Sequence, residues 1–220
     1  MELKSLNEPT NIAIFYHGYF PTTDISILTS QLELLDKSGI YNAVNSIFFN
    51  ISTTNDIEQL LQKYPKINYH IQKEPFLSEC PTLKILQDDC SAMDNVQCLY
   101  FHSKGSHHVS KQTIAWRKYM EHFLIQKWED TISLLQIHDT VGVDFKSTPS
   151  PHYAGNFWWA NKKAITTANK VDTKLNHDRF KWEFWILSGE ASTHPLHDSG
   201  VNLYVTPYEA RNYIEQKETK

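Results

Sequence analysis

Cysteine is scarce in this chain of 220 residues, and its three cysteines show no paired spacing. Cys80, Cys90 and Cys98 form no Cys-x-x-Cys motif, and their odd number leaves one thiol over in any disulfide scheme. This usage is typical of a reducing compartment in which cysteines have structural roles. The opening MELKSLNEPT is polar and lacks the apolar segment of a signal peptide. We therefore expect a cytoplasmic protein.

Long apolar runs and an excess of basic residues are also absent. No run approaches the roughly 20 apolar residues that a membrane-spanning helix needs, so any membrane contact is expected to be peripheral. The formal net charge of −4 provides no broad surface for nucleic acid, although it is compatible with a local basic pocket. Neither a Gly-x-Gly-x-x-Gly nor a Walker motif occurs, so dinucleotide and P-loop sites are not predicted.

Predicted strands and helices alternate through the first half of the chain. Short apolar runs predict the strands, and apolar residues at helical spacing predict the helices between them. Such alternation indicates an α/β domain with a mostly parallel central sheet flanked by helices. The strands are expected at residues 11–16, 44–51, 67–71 and 96–101, and the helices at residues 25–37, 56–63 and 81–93.

The second half of the chain is rich in aromatic residues. An apolar stripe at residues 111–137 predicts one long helix on the core, and residues 141–145 predict another strand. The segment HYAGNFWWA then carries Trp158 and Trp159 side by side. Strand side chains alternate between faces, so we expect one indole in the core and the other, Trp158, in a cleft beside Asn156. A ring beside an amide suits a sugar, which stacks its C–H face and donates hydroxyl hydrogen bonds.

Polar residues follow two of the predicted parallel strands. His17 comes after the first strand, and His102 and Lys104 come after the fourth, just before Gly105. Ligands of parallel sheets bind beyond the carboxyl ends of the strands. A lysine with turn amides suits a phosphate there, and the alternative is a solvated loop with a surface lysine.

Glu183 lies in the apolar segment FKWEFWIL. A buried carboxylate is costly unless it is paired or functional. Its candidate ion-pair partners are Lys181, Arg179 and Arg117. The alternative is a general base whose pKa is tuned by its apolar neighbours.

Two pairs of histidines raise the alternative of a metallohydrolase. His107 and His108 are adjacent, and adjacent histidines seldom chelate one ion together. His194 and His197 are three residues apart, but Pro195 interrupts any helix that would align them. This alternative requires a tightly bound metal in the purified protein.

The order of these motifs resembles that of GT-A-type glycosyltransferases. PTLKIL precedes a strand that ends in YFHSKG, and AWRKYM, VGVDF, HYAGNFWWA and RFKWEFWI follow. The chain is similar to a group that includes the capsid-glycosylating rhamnosyltransferase domain of large algal viruses and related bacterial glycan-synthesis proteins. The likeness extends from Asn11 to Tyr208, and GNFWWA together with FHSKG is its most specific part.

The resemblance implies a GT-A-like single domain. Residues 11–105 would bind a nucleotide-diphosphate-sugar donor, residues 106–210 would bind a glycan acceptor and catalyse transfer, and residues 211–220 would form a tail. The implied reaction is transfer of a sugar, expected to be a hexose, to an acceptor hydroxyl with inversion, and Glu183 would be the general base. The residues implied in donor binding are His17, His102, Lys104, Asn156 and His197, and those implied in lining the sugar or acceptor site are Trp158 and Tyr153.

The chain departs from the GT-A pattern at the cation site. Where these enzymes usually carry Asp-x-Asp for a divalent cation and the donor ribose, this chain has His102-Ser103-Lys104. Dependence on Mn²⁺ or Mg²⁺ is left open, with at most His102 and His197 as ligands. Lys104 can instead neutralise a diphosphate in place of the metal. The departure also keeps open a non-catalytic carbohydrate- or nucleotide-sugar-binding module that has lost the cation site.

Overall fold

The computed structural model of the protein describes residues 11–73, 78–173 and 179–214, so the last six residues of the predicted tail lie outside it. The strands are β1 (Asn11–Phe20), β2 (Ser46–Thr53), β3 (Ile67–Gln72), β4 (Val96–His102), β5 (Thr140–Gly142), β6 (Phe145–Lys146), β7 (His152–Tyr153), β8 (Trp158–Asn161) and β9 (Thr193–Pro195). The α-helices are α1 (Ser26–Lys37), α2 (Ile40–Ala43), α3 (Glu58–Leu61), α4 (Cys80–Ala92), α5 (Lys111–Glu121), α6 (Trp128–Leu134), α7 (Lys162–Thr167) and α8 (Arg179–Glu183).

Seven strands form one sheet in the order β3-β2-β1-β4-β8-β5-β9. Only β8 is antiparallel to its neighbours, β4 and β5, and the other pairings in this sheet are parallel. β6 and β7 pair as a separate antiparallel ribbon. The sheet contains strands from both halves of the chain. The predicted α/β fold with a mostly parallel central sheet is therefore confirmed.

The two faces of the sheet carry separate apolar cores. One core packs α1 and α5 against the face that contains Leu99 and Trp159. The other packs α4 and α7 against the face that contains Tyr100 and Trp158. Leu99 pairs with Trp159 and Tyr100 pairs with Trp158 across β4 and β8. The adjacent indoles thus point to opposite faces, as strand alternation predicts.

The long helix predicted at residues 111–137 is interrupted. A π-helical turn at His122–Gln126 separates α5 from α6. Within this turn the carbonyl oxygen of Leu124 accepts a hydrogen bond of 2.8 Å from the indole nitrogen of Trp159. The helix therefore directs one carbonyl to the neighbouring strand, a tertiary contact that apolar periodicity does not report.

The strand predicted at residues 141–145 is also divided. β5 ends at Gly142, and Asp144 has a φ of 49° in the left-handed region before β6 begins. Asp144 is fully buried, and its Oδ1 atom accepts hydrogen bonds from the backbone and hydroxyl of Ser199. This local side-chain bonding turns the chain out of the sheet.

Candidate functional site

Two histidines lie side by side on β1 and β4. His17 and His102 are register partners on these parallel strands, and Asn50 of β2 is the partner of His17 on its other side. Paired residues project to the same face of a sheet, so the three form one row. β1 continues past His17 to Phe20, which corrects the prediction that the strand ends there.

His17 is a buried, neutral imidazole. Its Nδ1 atom lies 2.9 Å from the hydroxyl of Thr82 in α4, which also accepts a hydrogen bond from the Asn50 amide. Burial lowers the pKa of His17 to about 4, and the Glu79 carboxylate only partly offsets this effect. A neutral imidazole has one nitrogen that donates and one that accepts, and Nε2 is the ring nitrogen of His17 without a hydrogen bond among the described residues.

The loop after β4 holds Lys104 in a fixed place. The backbone amide of Ser103 donates to the carbonyl of His17 at 3.0 Å. The Ser103 hydroxyl accepts from the backbone amide of Tyr19 at 2.8 Å. Arg117 of α5 donates to the carbonyl of Lys104 at 2.7 Å. The Lys104 ammonium lies over the Trp116 ring, 3.7 Å from its centroid. Such a cation–π contact holds the positive charge against the face of the ring.

These residues line a cavity of about 400 Å³, which we call the strand-end cavity. Its wall contains the titratable residues His17, Glu79, His102, Lys104 and Glu183 and the aromatic residues Trp116 and Tyr204. The Nε2 atom of His102 donates to the carbonyl of Gly155 at 3.0 Å. His107 and His108 also line this cavity, although the interpretation of that pair as metal ligands has no further support.

A second cavity of about 610 Å³, the loop cavity, adjoins the first. It is lined by residues of the second half of the chain, including Lys146, His152 and Asp198. Four residues line both cavities: Trp116, Glu183, Leu203 and Tyr204. Glu183 is the one carboxylate among the four, and it is half-buried rather than enclosed in the core. Arg117 pairs instead with Glu121 at 3.4 Å, so it is not the ion-pair partner considered for Glu183.

Glu79 is a site residue that the sequence reasoning missed. It lies at the N-terminal cap of α4 and lines the strand-end cavity. Its Oε2 atom accepts hydrogen bonds from the Tyr100 hydroxyl at 2.6 Å and from the Asn156 amide at 2.5 Å. No local sequence motif indicates that Glu79 is a site residue, because its hydrogen-bond partners come from β4 and from the turn before β8. Its position directly before the predicted α4 was the only available signal.

Three predicted ligand contacts lie in the interior instead. Trp158 and Tyr153 are each 1% exposed, belong to the second core and line neither cavity, so their role in lining the sugar site stays a prediction without a cavity contact. Trp158 stacks on Tyr100, and the Tyr153 hydroxyl bonds Thr140 at 3.0 Å. Asn156 is also 1% exposed, and its amide is committed to Glu79, Trp182 and Trp158. Of these three partners, Glu79 is the one that lines the strand-end cavity.

The candidate metal ligands do not converge. His102 lines the strand-end cavity, whereas His197 lines neither cavity and hydrogen-bonds the Tyr119 hydroxyl at 2.9 Å while stacking on Phe123. Within the described ranges, no three His, Cys, Asp or Glu side chains are grouped so as to hold a metal ion. These donors do not fit a divalent cation, since a protein-built site for one needs several converging ligands. The donor role assigned to His197 stays a prediction without a cavity contact.

The fold and the two cavities define an α/β domain with a cleft at the carboxyl ends of β1 and β4. The chain belongs to the family described as "Domain of unknown function (DUF8361)", whose model matches residues 15–167. No curated protein matches the chain. Across the described residues, no helix has both the length and the apolar character needed to span a bilayer.

Among solved structures, the chain is similar to the manganese complex of Rv0371c from Mycobacterium tuberculosis H37Rv, with 9% identity, a TM-score of 0.46 and coverage of 86% of this chain and 89% of that one. It is also similar to 4-diphosphocytidyl-2C-methyl-D-erythritol synthase from Anaerococcus prevotii DSM 20548, with 10% identity, a TM-score of 0.46 and coverage of 92% and 94%.

Proposed function

We propose that the protein is a glycosyltransferase that moves a sugar from a nucleotide-diphosphate donor to a hydroxyl of a glycan acceptor. The observation that carries this proposal is the position of Glu183 on the wall between two adjoining cavities. A transferase must bring a donor and an acceptor together at one point, and a base at that point can act on both. The motif order described above supports the same class.

The strand-end cavity is the proposed donor site. It lies at the carboxyl ends of parallel strands, where α/β domains bind nucleotides. Lys104 supplies a fixed positive charge, and His17 supplies a neutral N–H donor. Both groups suit a diphosphate, which is anionic and accepts hydrogen bonds. The loop cavity is the proposed acceptor site.

The proposed chemistry is a single displacement. The Glu183 carboxylate takes the proton of an acceptor hydroxyl while that oxygen attacks the anomeric carbon of the donor sugar. The bond from this carbon to the diphosphate oxygen breaks, and its electron pair leaves with the nucleoside diphosphate. Lys104 and the N–H of His17 stabilise the departing charge. One displacement at the anomeric carbon inverts its configuration.

A divalent cation is not assigned to this mechanism. Lys104 occupies the loop position at which the GT-A pattern places a metal-binding carboxylate, so its ammonium provides positive charge there from the protein itself. The test is to measure thermal shifts with UDP-, GDP- and dTDP-sugars, each with and without Mn²⁺. We expect one nucleotide class to raise the melting temperature without metal, since a ligand that binds only the folded state stabilises it. If no nucleotide sugar shifts the transition, the donor assignment fails.

A non-catalytic sugar-nucleotide-binding module is the second candidate. The observation that favours it is the replacement of the acidic cation motif by His102-Ser103-Lys104. Incubation with the stabilising donor separates the two candidates. Slow release of free nucleoside diphosphate, from hydrolysis or transfer, supports the enzyme. Binding without any turnover, with every acceptor supplied, supports the module.

A further inference from the structure

Glu79 is held by two buried donors. The Tyr100 hydroxyl and the Asn156 amide both reach Oε2, at 2.6 and 2.5 Å. Tyr100 is fully buried and Asn156 is 1% exposed, whereas Glu79 is half-buried at the cavity wall. Short hydrogen bonds to an ionised acceptor are strong and directional. The carboxylate is therefore fixed in orientation by groups that cannot reach a ligand themselves.

The two residues that hold the Glu79 carboxylate, Asn156 and Tyr100, are themselves held in place by their neighbours. Asn156 has a φ of 57°, in the left-handed region that asparagine enters more readily than most residues. Its amide oxygen accepts from the Trp158 indole at 2.9 Å, which fixes the amide so that its NH₂ faces Glu79. The Tyr100 ring stacks on Trp158, with centroids 5.1 Å apart. Burial raises the pKa of Tyr100 well above its ordinary value, and the Glu79 charge adds to this, so the phenol remains a donor.

The two carboxylate oxygens of Glu79 differ in their hydrogen bonding. In the described part of the chain, the hydrogen bonds to Glu79 all reach Oε2. Oε1 accepts no hydrogen bond from the described residues, and Glu79 lines the cavity together with His17, His102 and Lys104. A carboxylate repels a phosphate, so its counterpart in a ligand must be a group that donates hydrogen bonds.

We propose that Glu79 binds a hydroxyl group of the ligand, on the ribose or on the sugar of a nucleotide-sugar donor, with Tyr100 and Asn156 as positioning residues. This inference rests on the proposed function, because it assigns the strand-end cavity to such a donor. The cavity then has two chemically different ends. Lys104 and His17 take the anionic diphosphate, and Glu79 takes the neutral polyhydroxyl part.

Glu79→Gln reverses the polarity of this contact while preserving the fold. The glutamine carbonyl can occupy the Oε2 position and accept from both Tyr100 and Asn156. Its NH₂ then takes the Oε1 position and presents a donor to the cavity in place of an acceptor. Tyr100→Phe is the companion variant, because it removes the hydroxyl and keeps the ring on Trp158. Asp88→Asn, at an exposed residue of α4 paired with Lys84, is the matched control.

The experiment is titration calorimetry of the wild type and these variants with pyrophosphate, with UDP, GDP and dTDP, and with UDP-glucose, GDP-mannose and dTDP-glucose. For the nucleotide that the wild type binds, we expect Glu79→Gln to weaken binding about tenfold to a hundredfold. Tyr100→Phe should weaken it by a smaller factor, and Asp88→Asn should leave it unchanged. Pyrophosphate should bind Glu79→Gln as tightly as the wild type or more tightly, which a general structural defect would not produce.

The ligands separate the two sources of the hydroxyl. An equal loss for the free nucleotide and its sugar conjugate assigns Glu79 to the ribose, and a loss confined to the conjugate assigns it to the sugar. Unchanged binding in Glu79→Gln, or an equal loss for pyrophosphate, overturns the inference. A wild type that binds nucleotide sugars without turnover contradicts the proposed transfer but still allows the Glu79 test. A wild type that binds none of these probes overturns both.

Discussion

The ammonium nitrogen of Lys104 lies 3.7 Å from the centroid of the Trp116 ring, at the point where the strand-end cavity meets the loop cavity. The indole itself is anchored, because its nitrogen donates to the carbonyl of Ala154 at 3.3 Å. This contact joins the loop after β4 to α5 and to the turn before β8. Lys104 and Glu183 both line the strand-end cavity, so this cavity carries one positive and one negative side chain from these two residues.

Replacing this charge should weaken anion binding specifically. Lys104→Met keeps an unbranched apolar side chain against Trp116 and removes the ammonium. We expect the dissociation constant for the stabilising nucleoside diphosphate to rise about tenfold or more, as for the loss of a charged hydrogen bond. Lys37→Met, at an exposed residue of α1, is the control. Calorimetry at two salt concentrations checks the result, and equal affinities of wild type and Lys104→Met would remove Lys104 from the site.

Substituting two glycines that have positive φ can distinguish the cost of backbone strain from the cost of steric crowding by a new side chain. Gly39 has a φ of 79°, and a Cβ at this position would have no neighbouring atom within 4 Å, so Gly39→Ala should cost about 1 kcal/mol. Gly155 has a φ of 92°, and a Cβ there would lie 2.6 Å from the Met120 sulfur and 2.8 Å from the Trp116 indole nitrogen. We expect Gly155→Ala to cost about 1–3 kcal/mol more than Gly39→Ala in urea unfolding. Equal losses would show that this wall of the cleft is loosely packed.

His17 should make stability depend on pH. Burial lowers its pKa from 6.5 to about 4 in the folded protein, so folding favours the neutral ring. The contribution of the neutral ring to the free energy of unfolding is fully present above pH 6.5, and it is lost as the pH falls from 6.5 toward 4. We expect about 2 kcal/mol of the free energy of unfolding to be lost from this residue between pH 7.5 and pH 5.

The variant His17→Gln isolates this effect, because other groups also titrate in that interval. Its stability should fall less between the two pH values than that of the wild type, as measured by urea unfolding. His70→Gln, at an exposed residue of β3, should keep the wild-type dependence. A wild-type dependence in His17→Gln as well would mean that the imidazole is not held neutral by burial.

Much of the fold follows from local patterns in the sequence. The apolar runs and helical stripes of the first half predict β1–β4 and the helices α1, α3 and α4, but not the short α2, and β1 extends four residues beyond its predicted end at residue 16. The break at His122–Gln126 was not predicted, and the hydrogen bond found within it comes from Trp159, which is distant in sequence. The positive φ of Asp144 likewise reflects its bonds to Ser199.

The site was predictable only where residues follow strands. Motif position placed His17, His102 and Lys104 at one cavity, because parallel strands end at the same edge. The aromatic motif did not indicate the burial of Trp158, since both faces of this sheet are covered and neither indole lines either cavity. Among the described tryptophans, Trp116 is the one that lines the cavities, and it lies on a helix whose stripe indicates only core packing. Glu79 could not be identified from the sequence, because what marks it as a site residue is its pair of tertiary hydrogen bonds from Tyr100 and Asn156.

The most direct test of the proposed function is the turnover of Glu183→Gln with the donor identified by thermal shift. The variant keeps the shape of the side chain between the two cavities but cannot accept the acceptor's proton. We expect sugar transfer to fall at least a hundredfold while the dissociation constant of the donor stays within a few-fold, because only transition-state chemistry is lost. Transfer at the wild-type rate in Glu183→Gln would contradict the assignment of Glu183 as the base and with it the role given to the shared cavity wall.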